Sequence, residues 1–266
     1  MVMAANQGEA HVPSTGRYLD QEKVRNALDS ATTHGASYAE VRLVSFTQSS
    51  VAMRDGVLER AIPGQELGLT LRILADGAWG VHSTTDIASL PEQIESTTRL
   101  AKAVASRRAE GEKPIGLADI PVFVDEHHWK SELDVRHTEL DTKMDLMNDF
   151  YKGASQHKHV VSVTTGWSDE HIHTELMTSE GMDRAWSFQR SLVHGMVTAR
   201  DDSEVVSYRT RTGGQGGLEL IQGVDLTALG EQAQNAALRL LKAERAPSGK
   251  MPLIADNDLT GVYIHE

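Results

Sequence analysis

Two Asp-Gly pairs, Asp55-Gly56 and Asp76-Gly77, each stand between runs of alternating apolar residues, and they constrain this chain more than any other feature. Asp-Gly suits a two-residue turn in which both central residues take positive φ, the geometry whose twist matches an antiparallel hairpin. Val41, Leu43, Phe46, Val51 and Met53 precede the first turn. After it, Leu67, Leu69, Leu71 and Ile73 alternate with Gly68, Thr70, Arg72 and Leu74, and Ala78 to Ser83 follows the second turn. Period-2 runs joined by such turns predict an antiparallel meander with one buried face. An exposed edge of this meander would offer backbone hydrogen bonds to an extended peptide, with little dependence on side chains.

Helical spacing surrounds the meander. Leu19, Val24, Ala27, Leu28 and Ala31 predict a helix within 17–34 that stops at Gly35. A second helix starts at Leu90, with Ser89 as cap, Pro91 in the first turn, and Ile94, Ala101 and Val104 on one face. It gives way to Glu110-Gly111-Glu112-Lys113-Pro114, the first domain boundary. Beyond it, Leu140, Met144, Met147 and Tyr151 form one helical stripe. Strands are expected at Val160–Val163, His171–Met177, Ser191–Ala199 and Val205–Tyr208, with turns at Glu180-Gly181 and Asp201-Asp202. Gly213-Gly214-Gln215-Gly216-Gly217 marks a second boundary. Leu226, Leu229, Ala233, Ala236, Ala237, Leu240 and Leu241 define a strong helix, then Met251–Ala255 a short strand, and Asn257 or Asp258 caps a last helix. The fold class is α+β: a meander with flanking helices, a second strand-rich α+β unit, and the start of a C-terminal domain. The expected spans are a flexible N-terminus over 1–16, an N-terminal domain over 17–115, a middle domain over 116–217, and a further unit over 218–266.

Composition narrows the function. A formal charge of −12 over 266 residues argues against a nucleic-acid surface, which needs clustered Lys and Arg. With no cysteine there are no disulfides and no thiolate metal ligands. No apolar run approaches the roughly 18 residues of a membrane span, and Met1 to Gly16 lacks the pattern of a signal peptide. The expectation is a cytoplasmic protein without a membrane or nucleic-acid partner.

Histidines and carboxylates are the remaining candidates for chemistry. A His-Glu pair on a helix, followed by a second His about one turn later, lets two imidazoles reach one zinc while the Glu acts as base on bound water. The chain ends on such a pair, His265-Glu266, with the first two letters of that pattern only. His127-His128 read as surface-loop residues, because adjacent side chains diverge. His171 and His173 share one face of a strand and read as exposed strand residues without a nearby carboxylate or third ligand. The glycine run at 213–217 lacks the Lys-Ser/Thr of a phosphate loop and reads as a hinge or turn. The acidic pairs Asp125-Glu126 and Asp201-Asp202 read as loop-solvating.

The segment from Arg245 through Pro247, Gly249, Pro252 and Ala255 to Gly261-Val262-Tyr263-Ile264-His265-Glu266 resembles the approach to the HExxxH helix of the TldD/PmbA family. Three further stretches resemble that family in the same order. They are Gly68 to Asp86, with Leu71-Arg72-Ile73 and Asp76-Gly77-Ala78-Trp79-Gly80; Thr178-Ser179-Glu180-Gly181; and the glycine run at 213–217. The likeness covers roughly Tyr38 to Glu266.

The resemblance implies a TldD-like zinc metallopeptidase subunit that pairs with a homologous PmbA/TldE-like subunit and cleaves unfolded peptides in a shared cavity. It implies His265 as a zinc ligand and Glu266 as general base. It also implies that the chain is an N-terminal fragment, with the later zinc ligands absent, so that tight zinc binding and activity are not expected of it alone. The helix at 225–243 would then leave its apolar stripe partly exposed. The alternative within the same resemblance is a non-catalytic PmbA/TldE-like partner or peptide-binding module.

Overall fold

The structure, a computed structural model, describes residues 16–202 and 204–266, the Asp258 side chain excepted. Of the expected flexible N-terminus, all but Gly16 lies outside the described residues. The elements are helix α1 (Gln21–Thr33), strands β1 (Ala36–Arg54), β2 (Val57–Ala75) and β3 (Ala78–Thr84), helix α2 (Leu90–Ala105), and strand β4 (Val124–His128). A 3-10 turn (Val135–His137) follows, then α3 (Leu140–Ala154), β5 (Val160–Thr178), β6 (Asp183–Arg200), β7 (Val205–Gln215), the short α4 (Glu219–Gln222), α5 (Leu226–Leu240) and α6 (Asn257–His265).

All the described strands belong to one seven-stranded sheet in the order β3-β2-β1-β5-β6-β4, with β7 also on β6. Both Asp-Gly pairs turn as their sequence requires. Asp55 and Gly56 have φ of 50° and 78°, Asp76 and Gly77 of 52° and 72°, the positive-φ pair that joins hairpin strands. The Asp55 carboxylate also accepts the Val163 N–H at 2.7 Å, which ties this turn to the start of β5. Every pairing is antiparallel except β4 with β6, which is parallel from Val124↔Asp183 to His128↔Ser187. The outer edge of β6 is thus shared: β4 takes Asp183 to Ser187, and β7 takes Arg190 to Arg200.

Helices cover one face of the sheet in two groups. Val24, Ala27, Leu28 and Ala31 of α1 and Leu90 and Ile94 of α2 pack with Val41, Leu43, Leu69, Leu71, Ile73 and Met177. Met147, Phe150 and Ala154 of α3 and Leu226, Ala233 and Ala237 of α5 pack with Val51, Met53, Val163, Trp167, Val193 and Val197.

Several local expectations change. Ser89 makes no capping bond to α2 and instead donates to Asp86 at 2.6 Å; Val104 is 47% exposed, because Leu90, Thr97 and Thr98 share the buried face with Ile94 and Ala101. The buried face of α3 is Lys143, Met147, Phe150, Gly153 and Ala154, rotated from the expected stripe, and Leu140 is exposed. The glycine run is no loose hinge: Gly213 to Gln215 end β7, and Gly216 N–H donates to the Gln189 carbonyl at 2.9 Å. A Cβ on Gly213 would lie 2.1 Å from the Ser191 carbonyl oxygen, so glycine is what lets β7 close on β6. Helix α5 finds its partners in α3 and β6, and only its C-terminal end, Leu240, is exposed among the stripe residues. Met251 to Ala255 forms no strand, and among the described residues no strand pairs with it. The cap of α6 is Asp256, whose carboxylate accepts the Leu259 N–H at 2.9 Å.

Candidate functional site

Strand register builds a polar band between the two helix groups. On the covered face β1 reads Val41, Leu43, Ser45, Thr47, Ser49, Val51, Met53. Opposite these, residue for residue, β5 places Met177, Glu175, His173, His171, Asp169, Trp167 and Thr165. Next to them on β6 stand Asp183, Ala185, Ser187, Gln189, Ser191, Val193 and Gly195. All three strands are polar in the middle of this face. Their flanks are largely apolar and lie under the helix groups, so the band falls in the gap between them.

Each side of the band is anchored by a buried carboxylate. Towards α1, Glu175 is fully buried and accepts the backbone N–H of Tyr18 at 2.6 Å and of Leu19 at 3.2 Å, which fixes the lead-in to α1 on the sheet. Its Oε1 also lies 3.0 Å from His173 Nε2. Towards α3, Asp169 Oδ2 accepts from Lys143 Nζ at 2.5 Å, Ser49 Oγ at 2.8 Å and Trp167 Nε1 at 2.5 Å. Buried charges persist only when paired and hydrogen-bonded in this way.

Between these anchors lies a cavity of about 520 Å³ whose lining includes Arg17, Tyr18, Glu126, His128, Trp129, Lys130, Asp134, Arg136, His171, His173, Ser187 and Gln189. It opens where the edge of β6 passes from β4 to β7. Here Trp129 N–H donates to the Ser187 carbonyl at 2.9 Å, and Gln189 Oε1 accepts the Val135 N–H at 2.9 Å. The rings of His128 and His173 stack 5.8 Å apart, and His128 Nδ1 lies 2.8 Å from Ser187 Oγ.

Of the charges at the rim, Arg17, Glu126, Asp134 and Arg136 are paired, and Lys130 has no ion pair among the described residues. Arg17 bonds Glu126 at 2.7 Å and also Asp183; burial opposes its charge, but these bonds hold it protonated more firmly than usual. Burial would raise the Asp134 carboxyl, yet two-pronged bonds from Arg136 at 2.6 to 3.1 Å, with the Arg136 backbone N–H, hold it below its ordinary range. His171 is pushed down to about 4 by burial, with Arg136 adding to the effect, so it is a neutral imidazole at neutral pH. No hydrogen bond reaches its ring among the described residues.

These placements revise the sequence expectations. His171 and His173 do share one face of a strand, but they are 8% and 7% exposed because the loop after β4 and the lead-in to α1 cover them. The nearby carboxylate is Glu175, two residues further on the same face, and the His-x-His-x-Glu alternation is the signal that could have found it. Tyr18, Arg136 and Gln189 converge from elsewhere with no sequence signal. His127-His128 end strand β4 rather than a loop, and Asp125 and Glu126 in that strand each bond an arginine, Arg184 and Arg17. His265 closes α6 with Glu266 directly after it, and both are exposed. Structure does not bring them near the cavity histidines: among the described residues no group of three or more His, Asp or Glu could hold a metal ion. No described helix is long and apolar enough to cross a membrane.

Comparison with known proteins agrees with this architecture. Residues 39–105 match the PmbA/TldA metallopeptidase domain 1, and residues 134–241 match the PmbA/TldA metallopeptidase central domain. A metalloprotease of Methanocaldococcus jannaschii is 30% identical over 249 residues, 93% of this chain and 53% of that protein. A zinc metalloprotease TldD homolog of Saccharolobus solfataricus is 22% identical over 236 residues, 87% of this chain and 49% of its own length. The chain spans about half the length of the curated relatives it matches. The crystal structure of TldE from Thermococcus kodakarensis shares the fold with a TM-score of 0.59 at 14% identity, covering 81% of this chain and 47% of that one. A Thermotoga maritima crystal structure does so with a TM-score of 0.66 at 18% identity, covering 86% and 50%. With both domain matches in order on one sheet, the chain belongs to the PmbA/TldD metallopeptidase family.

Proposed function

We propose that this chain is part of a TldD-like zinc peptidase subunit, with His265 as one zinc ligand and Glu266 as the general base. The observation that supports it is the placement of His265 in the last turn of an Asp256-capped helix, followed directly by Glu266, in a chain whose relatives are named metalloproteases. The donor types suit zinc, which takes imidazole nitrogen and carboxylate oxygen. Two residues do not complete a site, because zinc centres draw on at least three protein ligands. The described residues therefore do not amount to a zinc site by themselves.

In this reading the subunit is cytoplasmic, pairs with a PmbA/TldE-like subunit and acts on unfolded peptides. The spans 17–115, 116–217 and 218–266 serve as its N-terminal, middle and C-terminal units. The edge of β2 supports the peptide part: β3 pairs with β2 only from Leu69 to Ala75, so Val57 to Gly64 pair with a strand on one side only among the described residues. Such an edge binds extended chains through the backbone. Side-chain substitutions at exposed positions such as Glu59 and Arg60 should leave peptide binding nearly unchanged, and a strong dependence counts against this surface.

Two measurements test the metal assignment. The codons following Glu266 should encode a histidine five positions after His265; its absence favours the non-catalytic partner. Calorimetric titration of the 266-residue chain should show no tight stoichiometric zinc uptake, and submicromolar binding would overturn the view that further ligands are needed.

A further inference from the structure

We propose that the cavity between the two helix groups is a carboxylate-binding site, fitted to the C-terminal carboxylate of a short peptide with an apolar or aromatic last residue. The proposal does not depend on the reading of His265 and Glu266, and it applies equally to a catalytic or a non-catalytic family member.

The first argument is an imidazole without a partner. His171 is 8% exposed, lines the cavity and makes no hydrogen bond among the described residues. Its ring nitrogens open onto the cavity and take no protein partner among the described residues, so they are free to bond an occupant. Burial keeps this ring neutral, so it offers a donor nitrogen and an acceptor nitrogen rather than a charge.

The second argument is the balance of donors and acceptors. The carboxylates near the cavity are already engaged: Glu126 and Asp183 by Arg17, Asp134 by Arg136, and Glu175 by two backbone N–H groups. The donors are not exhausted. Arg17 Nη2, Arg136 Nη1, Gln189 Nε2 and Lys130 Nζ have no hydrogen-bond partner among the described residues, although all four residues line the cavity. Arg17, Lys130 and Arg136 stand beside Glu126 and Asp134 on this wall, with Asp183 and Glu175 directly behind it, so the surplus is one of N–H donors and not of net charge. Free N–H donors beside carboxylates that are already bonded favour an acceptor ligand, and a carboxylate gains charge-assisted hydrogen bonds from the arginine and lysine donors among them.

The third argument is the apolar part of the wall. Tyr18 and Trp129 flank the polar floor, with Tyr18 held by its hydroxyl to Ser45 Oγ at 2.9 Å and Trp129 edge-on to Phe188 at 6.3 Å. Fixed aromatic walls beside a charged floor favour an amphipathic ligand over inorganic phosphate. A metal is not the occupant, since no group of three ligating side chains forms among the described residues.

The test uses the whole chain and three probes: N-acetyl-L-phenylalanine, its neutral C-terminal amide, and inorganic phosphate, titrated by calorimetry with histidine ring resonances followed by NMR. The carboxylate should bind about tenfold or more tightly than the amide or phosphate, because a charge-assisted contact distinguishes them. Lys130→Ala, at an exposed position, should weaken the carboxylate about tenfold without changing the melting temperature, whereas Lys242→Ala should have no effect. His171→Leu should weaken it similarly; if that variant does not fold, Lys130→Ala still decides. Equal binding of acid and amide, unchanged affinity in Lys130→Ala, or no binding at all overturns the proposal. Phosphate binding as tight as the carboxylate overturns the carboxylate assignment.

Discussion

Lys143 is 5% exposed in an otherwise apolar helix face, and its only charged partner among the described residues is Asp169, itself 6% exposed. Removing one member of such a pair leaves the other buried and uncompensated. Lys143→Ala should therefore destabilise the protein by about 3–5 kcal/mol in denaturant titration. Lys143→Met with Asp169→Asn should cost much less, because no unpaired charge remains. His171 has the opposite character, a ring that avoids charge. Its folded pKa of about 4 lies below the unfolded value of 6.5, so the unfolded chain binds the extra proton between these values. Stability should then fall as pH drops from about 6.5 to about 4, and His171→Leu should flatten that limb of the melting-temperature profile. At this scale the sequence was only partly legible. Strand alternation put His171 and His173 on one side, but whether that side is covered depends on residues 16–18 and 129–136, which no local pattern places there.

Helices α3 and α5 approach through glycine. A Cβ on Gly153 would lie 2.0 Å from the Thr227 carbonyl oxygen, and one on Gly230 would lie 2.2 Å from the Phe150 carbonyl oxygen. These contacts are with backbone, which cannot rotate away. Gly153→Ala should accordingly lower stability by about 1–3 kcal/mol despite alanine's higher helix propensity, as read by thermal unfolding. The rotated face of α3 has the same origin. An apolar stripe drawn through Leu140, Met144, Met147 and Tyr151 misses Lys143, buried as an ion-pair partner, and Gly153, buried as a contact point. The two Asp-Gly turns were legible because their chemistry is local: positive φ at both positions selects that pair. The strand expected at Met251 to Ala255 failed for the converse reason, since a β-run becomes a strand only where another strand pairs with it.

At the scale of the molecule, the family, the α+β class and the meander could be read from order and spacing, while the polar band could not. It exists only because β1, β5 and β6 align their polar centres across long separations. That alignment rests on one seam, β1 against β5, where Glu40 meets Thr178 and Arg54 meets Thr164. The paired residues are 138 and 110 positions apart along the chain, whereas the β1–β2 and β5–β6 hairpins close through short turns. The order of folding events follows. Each hairpin can assemble early from neighbours in sequence, but the seam must bring two distant hairpins together and bear a large loop-closure entropy first. Refolding from denaturant should contain a slow phase, on the order of milliseconds to seconds, that reports seam formation. Val41→Ala, on the seam, should mainly accelerate unfolding, and Gly56→Ala, at the hairpin turn, should mainly slow folding, as resolved by chevron analysis. The cavity would then be among the last features to form, assembled only when the two hairpins have docked.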